Sequence, residues 1–268
     1  MQEFWKWLTS FYEPFYEWII SLYESWKILF QEAPFGGVTY GHWILEGMLV
    51  TASLFVCAWV IAFVVGSIFG VLRTVPNRFL AGLGTLYVAV FRNIPLIVQF
   101  FFWNLVVPKL LPGNLGHWFN SSLDTHLQFF ILSVLCLGLF TGARVCEQVR
   151  SGIAALSDSQ FYAGLALGLT LPQTYVHVVM PNAYRVILPP LTSEMLNMVK
   201  NTAVASTIGL LELTAQAQRM LDFSAHAYVS FISVTAGYIL LNFLVMKGMQ
   251  YIERAVRFPG FGLGGQNA

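Results

Sequence analysis

Charge is what this chain of 268 residues has least of: Asp, Glu, Lys and Arg make up 10% of it, against about 25% in a soluble domain. That scarcity excludes the one or two soluble domains that the length alone would allow. The 14 Lys and Arg nearly cancel the 13 Asp and Glu, so no nucleic acid or other acidic polymer is implied as a partner. Cysteine is scarce too. Cys57, Cys136 and Cys146 lie in or beside apolar stretches. An odd, scattered set is neither a disulfide framework nor a zinc pattern. None of the five histidines has metal-ligand spacing. A G-x-x-x-x-G-K-S/T segment is missing, so the chain has no phosphate-cradling loop. What is present is 57% hydrophobic and 16% aromatic, which fits an all-α polytopic membrane protein.

A spanning helix needs about 20 mostly apolar residues. Five stretches qualify, at about 43–72, 79–108, 126–150, 182–211 and 223–250. Lys and Arg in short connections set the orientation. Arg73 and Arg78 follow the first stretch, Arg150 and Arg185 bound the third connection, and Lys247, Arg254 and Arg257 follow the fifth. These connections are expected inside. The others set Lys109 against Asp124, and Arg219 against Glu212 and Asp222. The N-terminus is then outside and the tail, 258–268, inside.

Residues 1–41 differ from the rest. Phe4, Leu8, Phe11, Phe15, Trp18, Leu22, Trp26 and Leu29 recur every three or four residues, which makes one apolar helix face. Glu3, Glu13, Glu17, Glu24, Lys6 and Lys27 interrupt it. The expectation is an aromatic, amphipathic segment on lipid at the outer interface, bent near Pro14. An additional span is the competing reading. A secretory signal is excluded, because the start is not basic and no clean apolar core follows.

Ionisable residues at membrane depth cost roughly 2.5–3.5 kcal/mol each on insertion scales, so they need partners or a wet cavity. Arg92-Asn93-Ile94-Pro95 breaks the second stretch. Pro95 cannot donate to the carbonyl of Phe91. Two half-helices with Asn93 capping the second would present free N–H groups to a carboxylate. A simple interfacial kink is the other reading. Arg144, Glu147 and Arg150 are spaced by three. They make either a salt-bridged ladder or a ladder with one guanidinium left over for a carboxylate ligand. Lys200, Asn201 and Thr202 set a cation beside two hydrogen-bonding side chains. Lys200 is either a ligand residue or the partner of a carboxylate across the bundle. Ala58, Ala62, Gly66 and Gly70 form a small-residue row for close helix packing, within the chain or against a second subunit.

The connection 151–180 reads as two short helices. Ser157 or Asp158 starts the first, which runs through Ala163 and ends at Gly168. Thr170 before Leu171-Pro172 starts the second. Such a knob suits a partner's groove. An amphipathic helix on the membrane surface is the alternative.

Gly168, Val178, Met180 and Pro181 match the loop signature of ATP-binding-cassette (ABC) importer permeases. Glu147, Arg150, Gly152, Gln160, Ala163, Ala166 and Leu167 resemble the polar amino-acid branch, as do Phe91–Gln99 and Lys200–Thr202. Thr141–Arg150 is most similar to glutamate/aspartate importer permeases. The resemblance covers about residues 42–257. It departs at Tyr162, where the family has Glu, at Gly164 for Ala, at Ser159 for Gly and at Met180 for Leu. Arg144 stands where the branch often has Tyr, which favours an anionic substrate.

The resemblance implies a five-helix permease core in a bacterial inner membrane, with a cytoplasmic coupling loop at 151–180. It implies a second permease subunit, identical or different, two ATP-binding subunits and an extracytoplasmic amino-acid-binding protein. The chain is then no enzyme and binds no cofactor; its partner uses the ATP. Substrate contacts are expected at Arg92, Asn93, Arg144, Lys200 and Asn201. ATPase coupling is expected at Ser157, Asp158, Gln160, Tyr162, Ala163, Gly164 and Gly168. Another polar amino acid such as glutamine is the alternative cargo. An ion-coupled secondary carrier is the alternative class, against which an odd span count and the lack of an inverted repeat argue. A non-transporting membrane scaffold is a further rival.

Overall fold

The computed structural model describes residues 2–256, so Arg257 and the tail lie outside the described residues. So do the side chains of Phe4, Leu8, Phe11, Leu22 and Asp158. The described residues fold into helices α1 (Gln2–Trp26), α2 (Tyr40–Leu72), α3 (Arg78–Asn93), α4 (Leu96–Leu105), α5 (Val107–Leu110), α6 (Gly113–Ser121), α7 (Thr125–Ala154), α8 (Asp158–Ala166), α9 (Leu171–Thr174), α10 (Met180–Asn201), α11 (Leu213–Ser224) and α12 (Ala227–Val256). Three of them, α2, α7 and α12, are long and apolar enough to cross a membrane. The pair α3 and α4 passes the same test together, but with a 100° bend between them. Within the N-terminal segment Gln2–Trp26 form one helix with Pro14 inside it, and a 3-10 turn follows at Lys27–Phe30.

The chain divides into two compact units. The smaller comprises Met1–Val50 and Leu211–Ile239. Its core is aromatic: Trp43 is buried and meets Tyr40 and Phe223 edge-on. The Arg219 guanidinium lies 3.8 Å from the centre of the Trp43 ring, a cation–π contact. Glu212 is fully buried. It caps α11 by accepting from the Ala215 N–H at 2.9 Å, and it accepts from the Tyr238 hydroxyl at 2.7 Å. By sequence Glu212 and Arg219 are loop charges; in the fold both are tied to this core.

The larger unit comprises Thr51–Leu210 and, among the described residues, 240–256. Its central helix is α7. Of its most apolar window 61% is buried, against 28% for α2 and 22% for α12. The small-residue row of α2 packs here, within the chain. A Cβ on Gly66 would lie 2.6 Å from the Gly142 carbonyl oxygen and from the Val145 side chain of α7. Contact between helix backbones is what small residues permit.

The bend between α3 and α4 follows from Pro95. A residue before proline is driven out of the helical region, and Ile94 is extended at φ −94° and ψ 128°. Asn93 is the last residue of α3, not the cap of α4. Pro95 stands at that cap with no side-chain hydrogen bond. The carbonyls this break releases are met by Gln99, a buried residue of α4. Its Nε2 donates to the Phe91 and Ile94 oxygens, both at 2.9 Å. In a membrane a released carbonyl needs such a donor.

The 151–180 segment holds α8 and α9. Ser157 precedes α8 without a side-chain cap bond; its hydroxyl is 2.8 Å from that of Ser159. Gly168 takes φ +83°, which ends α8 at the cost that glycine alone avoids. Gln173 accepts from the Thr170 N–H at 2.9 Å as α9 begins. A π-helical turn, Tyr175–Val179, then runs into α10.

Candidate functional site

Six charged side chains converge in the larger unit. Glu147 on α7 receives Arg73 at 2.5 Å, Arg150 at 3.1 Å and Arg92 at 3.8 Å. Glu194 on α10 faces Arg144 of α7 at 3.7 Å. Arg92 stands on the last turn of α3, just before the bend. Four guanidiniums therefore meet two carboxylates, and the cluster carries an excess of two positive charges.

The pairs differ in kind. Arg73 is mostly buried and binds Glu147 at charge-assisted hydrogen-bond distance. Arg92 and Arg144 are about half exposed, and their contacts are longer. They line a cleft of about 210 Å³ with Glu147, Gln148 and Glu194. The Glu194 Oε2 is buried there with no hydrogen-bond partner. That same oxygen faces the Arg144 Nη1 at 3.7 Å, an ion pair longer than a hydrogen bond. The cleft thus offers two forked cations and one under-satisfied carboxylate. Forked cations of this kind are the natural partners of carboxylates, and a carboxylate is the partner of an ammonium.

Of the five predicted substrate residues, the structure brings Arg92 and Arg144 together. Asn93, Lys200 and Asn201 do not line the cleft. Asn93 and Lys200 are exposed, and no ion pair forms at Lys200 among the described residues. The alternative partner for Lys200, a carboxylate across the bundle, is likewise not found among the described residues. The spacing-by-three ladder holds only between Glu147 and Arg150; Arg144 turns to Glu194 instead. Sequence reasoning overlooked Gln148 as a wall of the cleft and Arg73 as the close partner of Glu147. The charge-free run ending at Arg73 was the available signal for Arg73. Gln148 had none, being one neutral residue among many on α7.

The predicted coupling residues lie together on and around α8. Tyr162 is exposed, as is Leu167. Gly164 has a physical reason to be small: a Cβ there would fall 2.8 Å from the Thr174 Cγ2 of α9. Gln160 is partly buried, with its Oε1 unpartnered.

Comparison with known proteins gives consistent results. Residues 62–258 match the family described as binding-protein-dependent transport system inner membrane component. The glutamate/aspartate import permease protein GltJ of Escherichia coli (strain K12) is 61% identical over 236 residues, covering 88% of this chain and 96% of that protein. The arginine transport system permease protein ArgU of Corynebacterium glutamicum is 31% identical, covering 82% of this chain and 72% of that protein. Among solved structures, an amino acid ABC transporter with histidines superposes with a TM-score of 0.66 at 25% identity, over 81% of this chain and 95% of that one.

Proposed function

The chain belongs to the binding-protein-dependent transport system inner membrane components, the permeases of ABC importers, and from that premise we propose that it carries glutamate and aspartate. It is a multi-pass inner-membrane protein and not itself a catalyst. The single observation that carries the choice of cargo is the 61% identity to GltJ over nearly the whole of both proteins. The cleft agrees in charge. A dicarboxylic amino acid at neutral pH bears two carboxylates and one ammonium. Arg92 and Arg144 receive the carboxylates, and Glu194 receives the ammonium.

The working assembly contains a second permease subunit, two ATP-binding subunits docked on the cytoplasmic loops of the permease pair, here residues 157–172, and an extracytoplasmic binding protein that delivers the amino acid. The N-terminus is outside and the C-terminus inside. The five crossings are α2, the bent pair α3 and α4, α7, α10 and α12. With 22 residues, α10 is about 33 Å long, enough to cross the hydrocarbon core. Transport proceeds by alternating access. Substrate shifts that equilibrium because the two states bind it with different affinity. Closing of the ATPases moves α8, and the helices around the cleft change the side on which it opens.

The test is uptake into liposomes holding the full assembly, with ATP inside the ATPase compartment. Labelled glutamate should accumulate only with ATP and binding protein present, and aspartate should compete while glutamine does not. Equal competition by glutamine would transfer the cargo to the neutral amides. Uptake without ATP by this chain alone would favour a secondary carrier.

A further inference from the structure

The cleft and the cytoplasmic segment are joined by an unbroken run of contacts inside the larger unit. Phe161 of α8 meets the Tyr175 ring edge-on, with centroids 6.0 Å apart. Tyr175 is buried, and its hydroxyl donates to the Thr74 carbonyl oxygen at 3.1 Å. Thr74 lies in the turn after α2, next to Arg73. Arg73 holds Glu147 at 2.5 Å, and Glu147 lines the cleft. Tyr175 also opens the π-helical turn that continues into α10, the helix of Glu194. A π turn is a local defect in the helix ladder and is found preferentially where function needs one. Tyr175 therefore stands at a fork. One arm reaches Glu147 through Thr74 and Arg73. The other reaches Glu194 along α10.

We infer that Tyr175 is a positioning residue through which displacement of α8 sets the spacing of the two cleft carboxylates, coupling ATP use to substrate release. The inference rests on the importer reading above. Contiguity alone does not establish coupling, so the distinguishing feature is the hydroxyl. Without it α8 still packs on the ring, but the turn that carries Arg73 loses its tie to that ring.

A built-in control is available. The Tyr184 hydroxyl also bridges α10 to α2, donating to Ser67 Oγ at 2.6 Å, but it lies off the arm that runs through Thr74 and Arg73, which is the arm the Tyr175 hydroxyl holds. The experiment measures amino acid taken up per ATP hydrolysed by the full assembly in liposomes. Tyr175→Phe should lower that ratio about fivefold, the equilibrium effect of one lost hydrogen bond. Its ATP hydrolysis should remain stimulated by loaded binding protein. Tyr184→Phe should leave the ratio unchanged. Phe161→Ala combined with Tyr175→Phe should add little, since both cut one route. An unchanged ratio in Tyr175→Phe, or an equal fall in Tyr184→Phe, overturns the inference and leaves the importer reading intact. Absence of ATP-dependent uptake in the wild-type assembly sinks the importer reading, and the coupling inference with it.

Discussion

Glu212 and Glu194 are both carboxylates withdrawn from solvent, and they are withdrawn in opposite ways. In the smaller unit Glu212 is fully buried and its acceptors are filled, by the Ala215 N–H at 2.9 Å and the Tyr238 hydroxyl at 2.7 Å. In the larger unit Glu194 keeps an oxygen with no hydrogen bond and faces Arg144 at 3.7 Å across a cleft. A filled polar cluster fixes a fold, whereas a partly filled one is unstable unless a ligand completes it. Net charge alone would rank the two alike. Distance and the setting in a cleft separate the helix cap at Glu212 from the open pairing at Glu194.

The largest effect that sharpens this contrast is expected at Arg144. Arg144→Tyr removes a fork from the open cluster and should lower glutamate uptake at limiting substrate by about 10- to 100-fold, with assembly yield unchanged. Unaltered uptake and selectivity would place the substrate elsewhere. Glu212→Ala should act the other way round. It uncaps α11 and removes the carboxylate that accepts from the Tyr238 hydroxyl, which keeps Thr214 Oγ1 at 2.8 Å, at about 1–2 kcal/mol. The melting temperature in detergent should fall, while uptake per folded assembly stays near normal. A selective loss of uptake with an intact melting temperature would erase the distinction between the two carboxylates.

Gln99 lies between these extremes, and it shows where sequence reading stops. The break at Pro95 was legible, because proline chemistry is local, and so was the orphaned Phe91 carbonyl. The donor that meets it was not, since it depends on the chain folding back through 100°. Likewise the charge-poor runs disclosed α2, α7 and α12, and the spacing of Gly168 disclosed the end of α8. The pairing of Arg144 with Glu194 instead of Glu147 was hidden, because it joins two helices 50 positions apart in sequence. The direction of Lys200 was hidden for the same reason: its depth in an apolar run says nothing of which way it faces, and the fold leaves it exposed and outside the lining of the cleft. Gln99→Leu should cost about 1 kcal/mol in stability, since two carbonyls lose a donor while the unpartnered Oε1 disappears. It should also weaken substrate affinity a few-fold, because Arg92 sits one residue beyond Phe91. A melting temperature that rises would mean that the Oε1 penalty outweighs the two bonds.

The smallest effect is expected at Arg150, and it tests whether distance is the right criterion even within one cluster. Arg150 binds Glu147 at 3.1 Å, closer than Arg92 does at 3.8 Å. Its side chain is 42% exposed and does not line the cleft, whereas that of Arg73 is only 14% exposed. An exposed pair three residues apart on one helix is worth about 0.5 kcal/mol or less after screening. Glu147 also keeps Arg73, a shorter and drier partner, when Arg150 is gone. Arg150→Gln should therefore change glutamate uptake by no more than about twofold, and raising the salt concentration should shrink even that. Removal of Arg73 has no such cushion, because it would strip Glu147 of its one well-buried partner. If Arg150→Gln proved as damaging as Arg144→Tyr, closeness would matter more than exposure, and the line between structural and substrate-facing cations would have to be drawn through Arg150 instead of beside it.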